Sequence, residues 1–300
     1  MTTHVGLDLG VTNIKWAVVQ HDDGAWGTVD RGQVATLAAE GADAVVARMM
    51  QLAAAAGADH DIRSIGVGVP GLYDPATGAT RDLINMPGRW KGQPVREQIE
   101  GAMGLPARLV NDARAFGLAE LRLGAGRGAT SMVGLTLGTG IGGVVAVGGV
   151  VVQGHDGTAG ELGHQTIEAD GPPCSCGNRG CLEVLARAER IATLSGTSTA
   201  EEAVAAARAG DARALSALAE VGRCLGIGIG NMVVALTPDR VVLGGGISAA
   251  GDLLLDPIRM ELERRVHVTA LDEVELRIAE LGTWAGAIGA AVHGAEASAA

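Results

Sequence analysis

Apolar residues alternate or run together over residues 5–9 and again over 14–19, with a Gly/Asn-containing turn between them. That pattern predicts a β-hairpin, continued by a third strand over residues 29–36. An Ala-rich helical period follows over 42–56, then a buried strand over 65–69 that stops at Pro70-Gly71. Residues 72–94 are rich in Gly, Pro and Asp and read as a long functional loop. A short strand over 107–110 leads into a helix over 112–123. The second half opens on strand, glycine turn and strand over 132–137 and 141–147. Helices are then expected over 182–194, 200–209 and 211–236, a strand over 240–243, a helix over 253–266, a strand over 275–279 and a terminal helix from 284.

Strands mixed with helices throughout indicate an α/β fold. The two hairpins resemble each other: Leu7-Asp8-Leu9-Gly10-Val11-Thr12 in the first is matched by Leu135-Thr136-Leu137-Gly138-Thr139-Gly140 in the second. Such internal similarity suggests a duplicated unit, two like domains facing one another across a cleft. At 300 residues the chain has the length for two domains.

Composition narrows the function classes. With 47% apolar and 19% charged residues the chain can bury a core, and no run of about 18 uninterrupted apolar residues suggests a membrane span. A net charge of −11 argues against a partner held by phosphate-backbone contacts, and 2% aromatic residues leave few platforms for stacking bases. The N-terminal residues run directly into a strand pattern with no secretory signal, so a cytoplasmic location without membrane or nucleic-acid partners is expected.

Three glycine turns lie at strand ends: Gly10–Thr12, Gly138–Gly143 and Gly244–Gly246. Glycine lets backbone N–H groups approach phosphate closely, although any one of these could be an ordinary tight turn. Gly138-x-Gly140-x-x-Gly143 and Gly66-x-Gly68-x-x-Gly71 both satisfy the dinucleotide fingerprint formally, but a helix should open at the last glycine and neither does so. The P-loop pattern is absent. Phosphate held by hairpin turns remains, with Asp8 placed to orient Mg²⁺ through water.

His164, Cys174, Cys176 and Cys181 supply one imidazole and three thiolates in a short Gly/Pro-rich segment, the donor set of a closed structural zinc site. The alternative is a free-thiol loop beside an unrelated histidine. Cys224 lies in an apolar helix and reads as a buried inert thiol. Asn111-Asp112 sits where a strand ends and a helix begins, a position that suits a helix cap as well as a catalytic carboxylate. Glu161 and Glu183 are either solvated helix-end carboxylates or polyol ligands gathered around the metal loop.

These residues together resemble the ROK family of repressors and sugar kinases over nearly the whole chain. The resemblance rests on residues 7–15, Gly66–Gly71 with Asn85-Met86-Pro87-Gly88, Asn111-Asp112, Gly138–Gly143, Gly160-Glu161-Leu162-Gly163-His164, the C-x-C-G-x-x-G-C-x-E element from Cys174 to Glu183, and Gly244–Gly246. It implies an actin-like (ribonuclease H-like) fold whose two lobes, 1–111 with 284–300 and 112–283, close over a sugar. It further implies ATP with Mg²⁺, a structural zinc, a homodimer or homotetramer, and phosphorylation of a hexose at its 6-hydroxyl. Asp112 becomes the base. Gly71, Asn85, Asn111, Glu161, His164 and Glu183 become the sugar ligands, with one ring nitrogen of His164 on zinc and the other on sugar. Asp8, Gly10, Thr12, Asn13, Lys15, Gly138, Thr139, Gly140, Gly142, Gly143, Gly245 and Gly246 become the nucleotide site.

Two departures bear on that carry-over. Where the family's first turn usually reads G-G-T-K, this chain has Gly10-Val11-Thr12-Asn13, and Lys15 is the cation left to compensate. Where the family has P-G-W, this chain has Pro87-Gly88-Arg89-Trp90. Glucose is the first substrate expected, with N-acetylmannosamine, N-acetylglucosamine or another aldohexose as alternatives. A repressor would need a basic helix-turn-helix, for which the residues ahead of the first strand leave no room. A non-catalytic sugar sensor stays open on the Val11 and Asn13 departures.

Overall fold

The computed structural model describes residues 1–83 and 85–299. They form two compact units: Met1–Arg127 with Gln153–Ala159 and Leu281–Ala300, and Gly128–Val152 with Gly160–Glu280.

The first unit opens with β1 (Thr2–Leu9), β2 (Asn13–Asp22) and β3 (Ala25–Ala35), the antiparallel set the alternation predicts. Helix α1 (Ala42–Gly57) leads to β4 (Ile62–Val69), which pairs with β1 in parallel. The segment expected as loop, 72–94, holds most of a small hairpin, β5 (Gly71–Tyr73) and β6 (Thr80–Leu83), and beyond it comes α2 (Val95–Met103), where no element was expected. Strand β7 (Ala107–Asn111) adds to β4 in parallel and runs into α3 (Asp112–Leu123). The sheet order is β3-β2-β1-β4-β7.

Period 2 sorts β1 and β4 onto two faces. Val5, Leu7 and Leu9, with Ile65, Val67 and Val69, join Val45, Val46 and Met49 of α1 in one apolar core. Gly6 and Gly66 alternate with them and meet the C-terminal helix, Ala285–Ala299, almost backbone to backbone: a Cβ on Gly66 would stand 1.6 Å from the Ala290 carbonyl oxygen. The same helix presses on α3, where a Cβ on Gly289 would stand 1.7 Å from the carbonyl oxygen of Ala115. This packing explains why α3 belongs to the first unit, which ends its main run at Arg127 rather than at the boundary expected near residue 112.

The second unit repeats the plan. Strands β8 (Ser131–Leu137) and β9 (Ile141–Val147) form an antiparallel hairpin extended by the short β10 (Val150–Val151). Helices α4 (Leu182–Ala186), α5 (Ala188–Ser195), α6 (Ala200–Arg208) and α7 (Ala212–Leu236) follow, then β11 (Arg240–Gly244), α8 (Asp252–Arg265) and β12 (Glu275–Ile278). The order β10-β9-β8-β11-β12, with β8, β11 and β12 parallel, reproduces the order and sense of the first sheet.

The single helix expected over 182–194 is broken at Arg187, whose backbone is extended; there the Ala188 N–H leaves the helical pattern to donate to the Gly138 carbonyl at 2.9 Å. Helix α7 is long and apolar enough to cross a membrane by length and composition, yet 67% of its most apolar window is buried within the protein. It is a core helix: Val221, Leu225, Ile229 and Val233 belong to the second unit's apolar cluster.

Candidate functional site

The first turn is built at the exit of β1. The Gly10 N–H donates to the Asn13 carbonyl at 3.0 Å, closing a loop that leaves the N–H groups of Val11 and Thr12 without a protein acceptor among the described residues. Thr36, fully buried at the end of β3, clamps both sides of it: its N–H donates to the Thr12 carbonyl at 2.9 Å and its hydroxyl to the Gly10 carbonyl at 2.6 Å. Arg48 of α1 in turn donates to the Thr36 carbonyl at 2.7 Å. Thr36 and Arg48 were not among the expected residues, because only the return of the third strand to the turn brings them there.

Asp8 projects from the same face of β1 as Gly6, toward the start of the C-terminal helix, where a Cβ on Gly286 would stand 2.6 Å from its Oδ2. Burial, reinforced by the Asp112 carboxylate, raises its pKa from 3.8 to about 6, and Lys15, directly opposite in register on β2, acts against the rise. Asp8 and Asp112 therefore share one electrostatic neighbourhood.

At the β7–α3 junction the two readings of Asn111-Asp112 separate. Asn111 is the cap: its Oδ1 accepts from the Ala113 and Arg114 N–H groups at 3.1 and 3.3 Å, and its amide nitrogen donates to the Gly71 carbonyl at 3.4 Å. Asp112 is left at the first helical position, half-buried, with Oδ1 accepting from the Ala113 N–H at 2.8 Å. The buried Arg114 next along donates from Nε to the Ala159 carbonyl at 2.8 Å. Gly71 stands in β5 with φ 142°, and Asn85 is exposed in the left-handed region with φ 60°. The Arg89 departure has a plain local outcome: Arg89 is exposed, while Trp90 is buried and donates from its indole to the Pro87 carbonyl at 3.0 Å.

In the second unit the Gly138 N–H donates to the Gly140 carbonyl at 3.0 Å, and among the described residues the N–H groups of Thr139 and Gly140 have no protein acceptor. The Ile141 N–H donates to Glu183 Oε2 at 2.9 Å, so the carboxylate expected to bind sugar also touches this turn. Gly142 and Gly143 continue into β9, against Gly160: a Cβ on Gly143 would stand 2.4 Å from its carbonyl oxygen. The third turn closes on the same place. Gly245, at φ 85°, lies so near Leu137 that a Cβ there would be 2.3 Å from the Leu137 carbonyl oxygen, and Gly246 opens the short turn that follows. The second and third turns are thus adjacent, and the structure brings together all the nucleotide residues expected within this unit.

Glu161, exposed, precedes a single helical turn, Leu162–His164. His164 meets the three cysteines as the spacing predicts. The four donor atoms all lie within 4.8 Å of one another. Cys174 Sγ is 3.6 Å from His164 Nδ1 and Cys176 Sγ is 3.7 Å from Cys181 Sγ. A tetrahedral centre with zinc–sulfur bonds of about 2.3 Å has sulfur–sulfur edges of about 3.8 Å, so donor types and spacing both fit zinc. Nδ1 is the nitrogen in the cluster, which leaves Nε2 for another partner. Burial, with hydrogen bonds from the neighbouring thiols, pushes the metal-free Cys181 thiol up to about 12. Cys224 is buried and apart from this cluster, as expected.

A cavity of about 460 Å³ lined by Thr2, His4, His21, Trp26 and Ser64 lies at the other end of β1 from Asp8. Both ring nitrogens of His4 are already occupied there, by Ser64 Oγ at 2.8 Å and Thr2 Oγ1 at 3.0 Å, and it holds none of the expected residues.

Two duplicated sheets, each with a glycine turn bearing free amides, define a phosphate-handling protein of the actin-like class. Residues 4–295 match the ROK family, and the chain belongs to it. A glucokinase of Halalkalibacterium halodurans is 35% identical over 95% of this chain and 93% of its own. The crystal structure of a ROK hexokinase from Thermus thermophilus superposes with a TM-score of 0.86 at 36% identity, covering 99% of both chains. A ROK family glucokinase from Streptomyces griseus, solved in complex with glucose and AMPPNP, gives a TM-score of 0.80 at 29% identity over 98% of this chain and 99% of that one.

Proposed function

We propose that this chain is an ATP- and Mg²⁺-dependent kinase that phosphorylates the 6-hydroxyl of a hexose, with glucose the first substrate. Asp112 carries the reading. A hydroxyl attacking a γ-phosphoryl group needs a positioned carboxylate to accept its proton. Asn111 takes the capping role, so Asp112 is not needed for it. Following the family resemblance, Gly71, Asn85, Asn111, Glu161, His164 and Glu183 hold the remaining hydroxyls. Asp8 orients Mg²⁺ through water, Lys15 supplies the positive charge that Asn13 lacks, and the free amides of the turns receive the phosphates.

Zinc held by His164, Cys174, Cys176 and Cys181 is structural, because four protein donors leave no open position. It fixes the loop that carries Glu161 and Glu183 and orients His164 toward sugar through Nε2. We place the enzyme in the cytoplasm as a homodimer or homotetramer, following the family resemblance.

ADP release, measured with Mg-ATP against glucose, mannose, fructose, allose, N-acetylglucosamine and N-acetylmannosamine, tests the function. Turnover strongest on glucose is expected. Turnover confined to an N-acetylhexosamine moves the substrate to that alternative, and silence across the panel from folded, zinc-loaded protein overturns the kinase in favour of the sugar sensor.

A further inference from the structure

Glu183 has two carboxylate oxygens, and the fold occupies only one of them. Oε2 accepts the Ile141 N–H at 2.9 Å, and among the described residues this is its one hydrogen bond to the protein, which leaves Oε1 for a ligand hydroxyl. The residue stands two positions after Cys181, in the first turn of α4, so its backbone is tied directly to the His/Cys cluster. Its tip reaches the donor turn, where a Cβ on Gly140 would stand 2.6 Å from Oε2. The other side of Ile141 is held as well: a Cβ on Gly163, next to His164, would stand 2.1 Å from the Ile141 carbonyl oxygen. The residue that closes the phosphate turn is thereby bonded at its N–H by Glu183 and approached closely at its carbonyl by the backbone next to His164.

We infer that Glu183 is a positioning residue that couples sugar binding to nucleotide binding, with Oε1 on a sugar hydroxyl and Oε2 on the Ile141 N–H. A glutamate side chain has several rotamers to lose on ordering. The first ligand to bind holds the Oε2–Ile141 bond closed and with it steadies the Gly138–Ile141 turn, so the second ligand meets a site already ordered. Reciprocity requires sugar to tighten nucleotide by the same factor that nucleotide tightens sugar. The inference rests on the kinase reading above, and it adds that affinity for the two substrates is linked through this one carboxylate.

Isothermal titration of glucose in the presence and absence of Mg-AMPPNP measures the linkage as a ratio of affinities. In the unsubstituted protein the nucleotide analogue should tighten glucose by about 5-fold or more, within the usual range of site-to-site coupling. Glu183→Asp, which keeps the carboxylate but is one methylene too short to hold a sugar hydroxyl and the Ile141 N–H together, should bring the ratio close to 1 with zinc content unchanged. Glu183→Gln should weaken glucose and lower the ratio together, with zinc content unchanged. A ratio of 1 in the unsubstituted protein overturns the coupling and leaves the kinase intact. A full ratio retained in Glu183→Asp or in Glu183→Gln likewise overturns it. Failure of the unsubstituted protein to bind either ligand instead removes the kinase reading on which the coupling stands.

Discussion

The two hairpin turns occupy the same place in two copies of one sheet and are held in different ways. The first, Gly10 to Asn13, is braced from outside without a carboxylate, with Thr36 donating to two of its carbonyls and Arg48 holding Thr36. It also has a carboxylate beside it, Asp8, one residue ahead of the last strand position. At the matching position the second hairpin has Thr136, and its turn is instead tied by Glu183 from the metal loop. One copy carries a carboxylate beside its turn, while the other is tied to the segment that follows the Cys174–Cys181 cluster. Duplication supplied the backbone amides twice, and divergence assigned each set a different companion.

This contrast can be broken from either side. The largest effect belongs to Asp112→Asn, which should leave hexose affinity near that of the unsubstituted protein and reduce turnover by about 100-fold or more in a steady-state assay. Equal turnover would remove Asp112 from the chemistry.

Asp8→Asn should show its mark in stability. The folded pKa of about 6 lies above the unfolded value of 3.8, so the folded chain holds this proton more tightly. The contribution is fully present below pH 3.8 and is lost as pH rises through about 6. At pH 8, without Mg²⁺, Asp8→Asn should therefore be more stable than the unsubstituted protein by at most about 3 kcal/mol, since the carboxyl keeps some access to solvent. At pH 3.5 the gain should vanish. Denaturant melts at the two pH values check the sign, and a gain confined to acid would contradict it.

Cys176→Ser should lose most of its zinc by elemental analysis and weaken sugar binding more than nucleotide binding, because the first turn lies outside the metal loop. Full zinc in that variant would contradict the ligand assignment. The smallest effect is that of Thr36→Val, which removes the hydroxyl bond to the Gly10 carbonyl at a cost of about 1 kcal/mol and should raise the KM for ATP while leaving that for sugar unchanged.

Much of this was legible in the sequence because it is local. The strands of both hairpins, the Cys174–Cys181 cluster and the Asn111-Asp112 junction are each written in one short segment, and the internal match of residues 7–12 with 135–140 announced the repeated sheet. What the sequence did not disclose depends on distant segments meeting. The break at Arg187 needs the Gly138 carbonyl as partner for Ala188, 50 residues apart in the chain. The Thr36 clamp needs β3 to return to the first turn, and Gly286 beside Asp8 needs the C-terminal helix to come back to β1. Helix α2 was missed because the Gly, Pro and Asp around it outweighed its own short apolar period, in which only Val95 and Ile99 are buried.

The central claim is transfer of the ATP γ-phosphoryl group to a hexose 6-hydroxyl, and the most direct measurement compares glucose with 6-deoxyglucose in the presence of Mg-ATP, with ³¹P NMR of the products. The account predicts ADP and a sugar 6-phosphate from glucose and no phosphorylated sugar from 6-deoxyglucose. A phosphorylated product from both would place the acceptor at another hydroxyl and contradict the assigned reaction.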